Sequence, residues 1–243
     1  MTFVGVDAGE GRSRLRMTGG NLAPRLVRQD ATGAKVALVA TTALLLGEDR
    51  VELDLRVGPG AWLEIVETAG TVAYDAGGAP SWWNVQVTVD AGGMLLWPGE
   101  PFVVSDGANT LRHSRFDLAA GAVMCIRETV VLGRSGQVGG AVRVQNRIER
   151  PDGPLLVEDL DLRDPATREL PGLAGRASVI DTLTLAGAAV PNAPSIPVGH
   201  HFALDGEGAV ARVLRSGLAG SPVPGWWVAW SAAARAAHLR PGW

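Results

Sequence analysis

A period of two, punctuated by glycine, constrains this chain more than any other feature. Val51, Leu53, Leu55 and Val57 alternate with Glu52, Asp54 and Arg56, and Val85, Val87 and Val89 alternate with Gln86, Thr88 and Asp90. Successive side chains on an extended backbone point to opposite faces, so both runs read as strands with one face buried. Between such runs lie Gly58-Pro59-Gly60, Gly77-Gly78, Gly92-Gly93, Gly139-Gly140 and Pro151-Asp152-Gly153. These residue types supply the positive or fixed φ that tight turns need. With 32 Gly and 15 Pro among 243 residues, most of the chain reads as short strands joined by turns. No strand–helix alternation runs through it, which argues against a doubly wound parallel sheet. The expected class is all-β, and a β-solenoid-like stacking of strand–turn units is compatible with the pattern.

Helical signals are confined to two places. Asp164 is placed to cap a turn or two that starts at Pro165. The stronger segment is Gly225 to Arg240, alanine-rich, with Trp226, Trp230, Ala233 and Ala237 on one face and Arg235, His238 and Arg240 late in the run. No linker stands out, so residues 1–243 read as one domain, with Pro191 to Pro197 as a long crossing. The start, MTFVGVDAGEG, lacks the basic, apolar character of a secretory signal. The longest apolar run, Val36 to Leu46, is too short for a membrane helix of about 20 residues. A single cysteine, Cys125, excludes an internal disulfide and a structural zinc site of several thiolates. A cytoplasmic setting is expected. A net charge of −3 gives no basic excess with which to neutralise nucleic-acid phosphates.

Catalytic signatures are missing. Lys35 lies outside any phosphate-loop frame, and Gly133-Arg134-Ser135-Gly136 lacks the spacing of a nucleophile elbow. That segment reads instead as a hairpin turn between strands 123–132 and 138–148. His113, His200, His201 and His238 fall in no metal-binding spacing, and the adjacent pair His200 and His201 would face opposite sides of a strand. Cys125, between Met124 and Ile126, reads as a small buried apolar residue.

Polar residues on apolar faces carry more information. In Met124, Ile126, Glu128, Val130 and Leu132, the shared face includes Glu128. A carboxylate pointing inward must be paired or wet, so Glu128 either meets an arginine or lines a water-filled passage. By the same alternation Asn146 points inward with Val142, Val144 and Ile148, and Glu158 shares a face with Leu156, Leu160 and Leu162. Pro98-Gly99-Glu100-Pro101 is expected to form a rigid turn with the Glu100 carboxylate at its tip. Tryptophans 62, 82, 83, 97, 226, 227, 230 and 243 suit core and interface anchors, or the stacking platform of a carbohydrate-binding β module.

Three segments carry a family resemblance. Residues 44–75, LLLGEDRVELDLRVGPGAWLEIVETAGTVAY, resemble a stretch in which a Gly-Asp turn opens an alternating strand. Residues 92–108, GGMLLWPGEPFVVSDGA, resemble a Gly-x-Leu…Pro-Glu-Pro…Gly-Ala segment, and 128–134, ETVVLGR, a Glu-x-x-x-x-Gly-Arg turn. The Trp after Arg240-Pro241 is similar too. In this order, the segments resemble the urease accessory protein D family. The resemblance implies a β-helix-like stack of short-stranded sheets with a C-terminal helix. It implies a non-enzymatic maturation chaperone with no tightly bound cofactor and nickel in transit. The implied partners are accessory protein F, the GTPase accessory protein G and apo-urease. Matching positions nominate Asp49, Glu100 and Glu128 as route or interface carboxylates, with His113, His200 and His201 as secondary polar candidates. Trp226, Trp227 and Trp230 are nominated either for docking protein F or for capping the sheet stack.

Overall fold

The computed structural model describes residues 1–191 and 200–240. Most of the Pro191–Pro197 crossing, and Trp243, lie outside the described residues. In chain order the first strands are β1 Thr2–Asp7, β2 Arg14–Thr18, β3 Leu22–Gln29, β4 Gly33–Ala40, β5 Arg50–Val57, β6 Trp62–Glu67, β7 Thr71–Ala73 and β8 Ser81–Val89. Next come β9 Met94–Val104, β10 Asn109–Leu118, β11 Val123–Leu132, β12 Ala141–Arg150 and β13 Gly153–Asp161. The last elements are α1 Pro165–Arg168, β14 Val179–Ala186, β15 His201–Ala203, β16 Gly208–Arg215 and α2 Val223–His238.

The strands form two sheets, ordered β13-β12-β10-β8-β5-β1-β2 and β15-β16-β14-β11-β9-β6-β4-β3, with β7 added beside β9. From β4 to β12 the chain passes back and forth between the sheets, so it winds as a coil. Each turn of the coil lies parallel on the one before it: β5 on β8, β8 on β10, β10 on β12, and likewise β4 on β6, β6 on β9, β9 on β11. Both ends close with antiparallel pairs, β1 with β2 and β3 with β4 at one, β12 with β13 and β14 with β16 at the other.

Glycine makes the winding possible. Gly60, Gly92 and Gly121 hold φ of 61°, 65° and 68° at the same corner of successive coils. Gly60 N–H donates to the Ala91 carbonyl at 3.0 Å and Gly92 N–H to that of Ala120 at 3.2 Å, so the corners stack by backbone bonds. These glycines recur roughly 30 residues apart, within the range of solenoid repeats. Any side chain there would be strained in a left-handed conformation.

The main core lies between the sheets and is built from the apolar half of the alternation: Val51, Leu53, Leu55 and Val57 face Leu63 and Ile65 across it. A second cluster covers the outer face of the other sheet, where α2 lays Val223, Trp226, Trp230 and Ala234 over Leu96, Cys125, Leu183 and Ala211. Strands beneath α2 are therefore buried on both faces, and β14 is buried at every position. Cys125 is one of these doubly covered residues, and burial pushes its thiol pKa well up. The helix is pinned at both ends. Ser221 Oγ donates to Asp181 Oδ2 at 2.6 Å, Arg235 reaches Glu64 at 2.7 Å, and the His238 ring meets the Gly92 carbonyl at 3.0 Å.

Two local expectations are corrected. The Gly133–Gly136 turn does not close a hairpin, because β11 and β12 belong to different sheets and the chain crosses between them there. The Pro98–Pro101 segment is not a turn. β9 runs through it as a bulge, with Pro98 opposite Arg127 and Pro101 opposite Thr129, so two residues face the single Glu128. Asp164 does cap α1, accepting from Thr167 N–H at 2.8 Å.

Trp230 is fully buried. Trp230→Ala should cost about 3–5 kcal/mol of stability, read as a lowered urea midpoint.

Candidate functional site

Because strand side chains alternate, the coil stacks the inward positions of successive strands into rows. Most are apolar. Over neighbouring levels the rows turn polar: Glu67 at the end of β6, Arg112 and Ser114 on β10, Glu128 on β11, Asn146 on β12, Glu158 on β13, Thr182 on β14 and Arg212 on β16. These residues line three cavities that share walls. The largest, about 330 Å³, is bounded by Phe116, Glu128, Asn146, Glu158 and Arg212. Phe116, Ile126 and Glu128 also bound a constriction of about 20 Å³, room for a single water. On its far side Glu67, Thr71 and Trp83 are shared with a third cavity of about 130 Å³ that reaches Leu22, Thr42 and Tyr74.

Each carboxylate in the row is held differently. Glu128 accepts from Arg112 at 2.7 Å and from Asn146 Nδ2 at 3.0 Å. The first of the two sequence readings of Glu128 is what the structure holds, an arginine pair, and it stands on a cavity wall. Glu158 takes both arms of Arg212 at 2.6 and 2.8 Å, while Arg212 Nε donates to Thr182 Oγ1 at 2.9 Å. Such two-pronged pairs are the firmest a carboxylate makes. Glu67 has no bonded cation. Its carboxylate accepts from Trp97 Nε1 at 2.8 Å and from the Glu100 N–H at 3.3 Å. Burial pushes its pKa up to about 7, against the opposing pull of the Trp97 bond and the Arg112 charge. Among the described residues, Arg112 Nε, Asn146 Oδ1 and Trp83 Nε1 are buried without a hydrogen-bond partner. The interior thus has unused hydrogen-bonding capacity on both sides of the constriction.

The nominated residues are placed unevenly. Glu128 lines the row, as its alternation implies. Glu100 is exposed on the bulge but borders the constriction, contributing its backbone N–H to Glu67. Asp49 stands apart, in a surface turn where it accepts from Leu46 N–H at 3.0 Å. His113 points to solvent, because its neighbours Arg112 and Ser114 occupy the inward positions. His200 bonds the Arg212 carbonyl at 2.9 Å through Nδ1, and exposed His201 stands edge-on to Trp230 with ring centres 6.1 Å apart. The histidines do not converge, and among the described residues no group of three or more His, Cys, Asp or Glu could hold a metal ion. Trp226 and Trp230 are buried under α2, whereas Trp227 is partly exposed beside exposed Val228. Trp62, Trp83 and Trp97 are also buried and Trp82 lies under Arg50 at 3.6 Å, so the described tryptophans form no open stacking platform. Sequence reasoning passed over Glu67, although Leu63, Ile65 and Glu67 follow the same alternation that locates Glu128.

The sequence profile of the UreD urease accessory protein family matches residues 4–240. This chain belongs to that family. Urease accessory protein UreD 1 of Streptomyces griseus is 44% identical over 218 residues, which are 88% of this chain and 84% of the relative. The UreD proteins of Frankia casuarinae and Streptomyces coelicolor are 31% and 32% identical, over 90% and 84% of this chain and 71% and 70% of their own lengths. Members of the UreD family are named as urease accessory proteins. Among the described residues of this UreD chain, no helix is long and apolar enough to cross a membrane.

Glu67 also makes stability depend on pH. Its carboxyl titrates higher in the fold than in the open chain. Its contribution is therefore complete at low pH and is lost as pH rises from about 4.5 through about 7. Glu67→Gln removes that loss. The stability difference, variant minus wild type, should grow on the order of 2 kcal/mol between pH 5 and 8. Thermal unfolding of both proteins across that range checks it, and parallel curves would mean that Glu67 is not held in this state.

Proposed function

We propose that this protein serves urease maturation as a non-catalytic scaffold whose polar interior row passes nickel toward apo-urease, in a complex with accessory proteins F and G. The observation that carries this reading is the run of carboxylates Glu67, Glu128 and Glu158 along three adjoining cavities. Transit requires ligands that hold a cation briefly. Carboxylate oxygens are weak partners for nickel beside imidazole or thiolate, and this row contains neither. The arginines suit the same task. With Arg112 on Glu128 and Arg212 on Glu158, two of the three carboxylates are paired with a cation while the interior is empty. An entering cation exchanges with a guanidinium rather than meeting an unpaired buried charge. Asp49 and Glu100, at the surface, fall to interface roles, with Glu100 bordering the constriction. Val228, exposed on α2 beside the half-buried Trp227, gives protein F an outward apolar contact, while Trp226 and Trp230 hold the helix in place. A cytoplasmic site of action follows from the partners.

Co-expression with proteins F, G and apo-urease tests the whole reading: a stable complex that raises nickel-dependent urease activity is the expected result. Within it, Glu128→Gln should leave the fold and the complex intact and lower activation several-fold, because the amide oxygen still accepts from Arg112 but carries no charge to hold the cation. Full activation by that variant would remove Glu128 from the route. A folded wild-type protein that binds none of the three would leave family membership without this function.

A further inference from the structure

Both sheets stop at the same end of the coil, and that end carries an excess of positive charge, its arginines outnumbering Asp7, Glu10 and Asp30. β2 is the last strand of one sheet and pairs only with β1, and β3 is the last of the other and pairs only with β4. From Gly11 to Gln29 this end holds Arg12, Arg14, Arg16, Arg25 and Arg28 and no Asp or Glu, in a chain whose net charge is −3. All five are exposed. Among the described residues, only Arg16 of the five has a carboxylate partner, Asp7 at 3.1 Å. Arg12 bonds the Gln29 amide oxygen at 2.7 Å, Arg28 lies 5.2 Å from the Trp62 ring centre, and Arg25 donates to the Pro24 carbonyl at 3.2 Å. Among these arginines Met17, Leu26 and Val27 are 38%, 40% and 57% exposed.

Charge on an edge strand can serve simply to prevent pairing with another chain. On β3 the backbone already does that. Pro24 has no N–H to offer, and Val27 is the extra residue of a bulge between Leu26 and Arg28. The arginines and the exposed apolar trio are additional to that protection. Arginine around Met and aliphatic residues is the make-up of a protein interface, in which apolar contact supplies the centre and charge the rim. Phosphate binding would use the arginines alone and leave the trio wet. With β3 blunted in this way, its side chains rather than its backbone are what a partner would meet there.

We propose that the β2–β3 end docks an acidic face of a partner protein, with carboxylates taking Arg14 and Arg25 around an apolar centre that covers Met17, Leu26 and Val27. The inference rests on the reading that this chain works in a complex with apo-urease and accessory proteins F and G, one of which bears that face.

The test compares wild type with the double variant Arg14→Glu, Arg25→Glu, and separately with Val27→Asp. Purified apo-urease, protein F and protein G are the probes, each at 50 and 300 mM NaCl. Both variants alter exposed side chains and should fold normally by circular dichroism. For one probe, wild-type affinity should fall with salt. The same probe should bind each variant at least ten-fold more weakly at 50 mM salt. Equal binding of wild type and variants to all three probes would overturn the inference and leave the scaffold reading standing. So would self-association abolished by the variants, or a loss confined to a DNA duplex or anionic vesicles. Wild type that binds no probe would overturn both.

Discussion

The parallel ladder between successive coils is the constraint on which the rest depends. A strand in this stack finds backbone partners only in the coils before and after it, and every buried N–H and C=O must be satisfied that way. The ladder fixes register along the whole stack: Leu53 beside Val85, Val85 beside Ser114, Ser114 beside Asn146. Side chains at one level are thereby forced into contiguous rows. A polar residue placed inward in one coil has polar company only if neighbouring coils carry polar residues at the same level. This chain does so in β10 to β13, which is why the interior is polar there and apolar around β5 and β8.

Such a row does not help the fold. Taking a carboxylate and a guanidinium from water costs several kcal/mol per ion, repaid only with good geometry, and an apolar pair of similar volume often does as well. Arg112–Glu128 and Arg212–Glu158 are well made, yet Arg112 Nε and Asn146 Oδ1 remain without partners beside them. An arrangement selected for stability alone would have filled the 330 Å³ space with aliphatic side chains. Its persistence is intelligible if the space and the charges are what the protein uses.

Much of this was legible from alternation, which depends only on neighbouring residues. The inward positions of Glu128, Asn146 and Glu158 follow from period two, and the capping of α1 from Asp164-Pro165. Glu67 obeyed the same rule but ended its run next to Thr68-Ala69-Gly70, where the strand pattern stops. What alternation cannot encode is which strand lies beside which. Gly133 to Gly136 has the residues of a hairpin turn, and only the choice of sheet by the next strand makes it a crossing. Pro98 to Pro101 has the residues of a turn as well, but the ladders on both sides of β9 hold it extended and confine the irregularity to a bulge. The isolation of Asp49 is likewise an outcome of packing between distant segments.

The seat of α2 has a consequence for how the chain is made. Arg235 meets Glu64 across 171 residues, and Trp226 and Trp230 close over Leu96 and Cys125. Synthesis runs from the N-terminus, so the coil can wind while its outer apolar face is still bare. Contacts this distant in sequence form late and slowly. Until α2 is seated, the outer face at Leu96, Cys125, Leu183 and Ala211 has no cover, and a chain stopped short of Val223 would leave it bare.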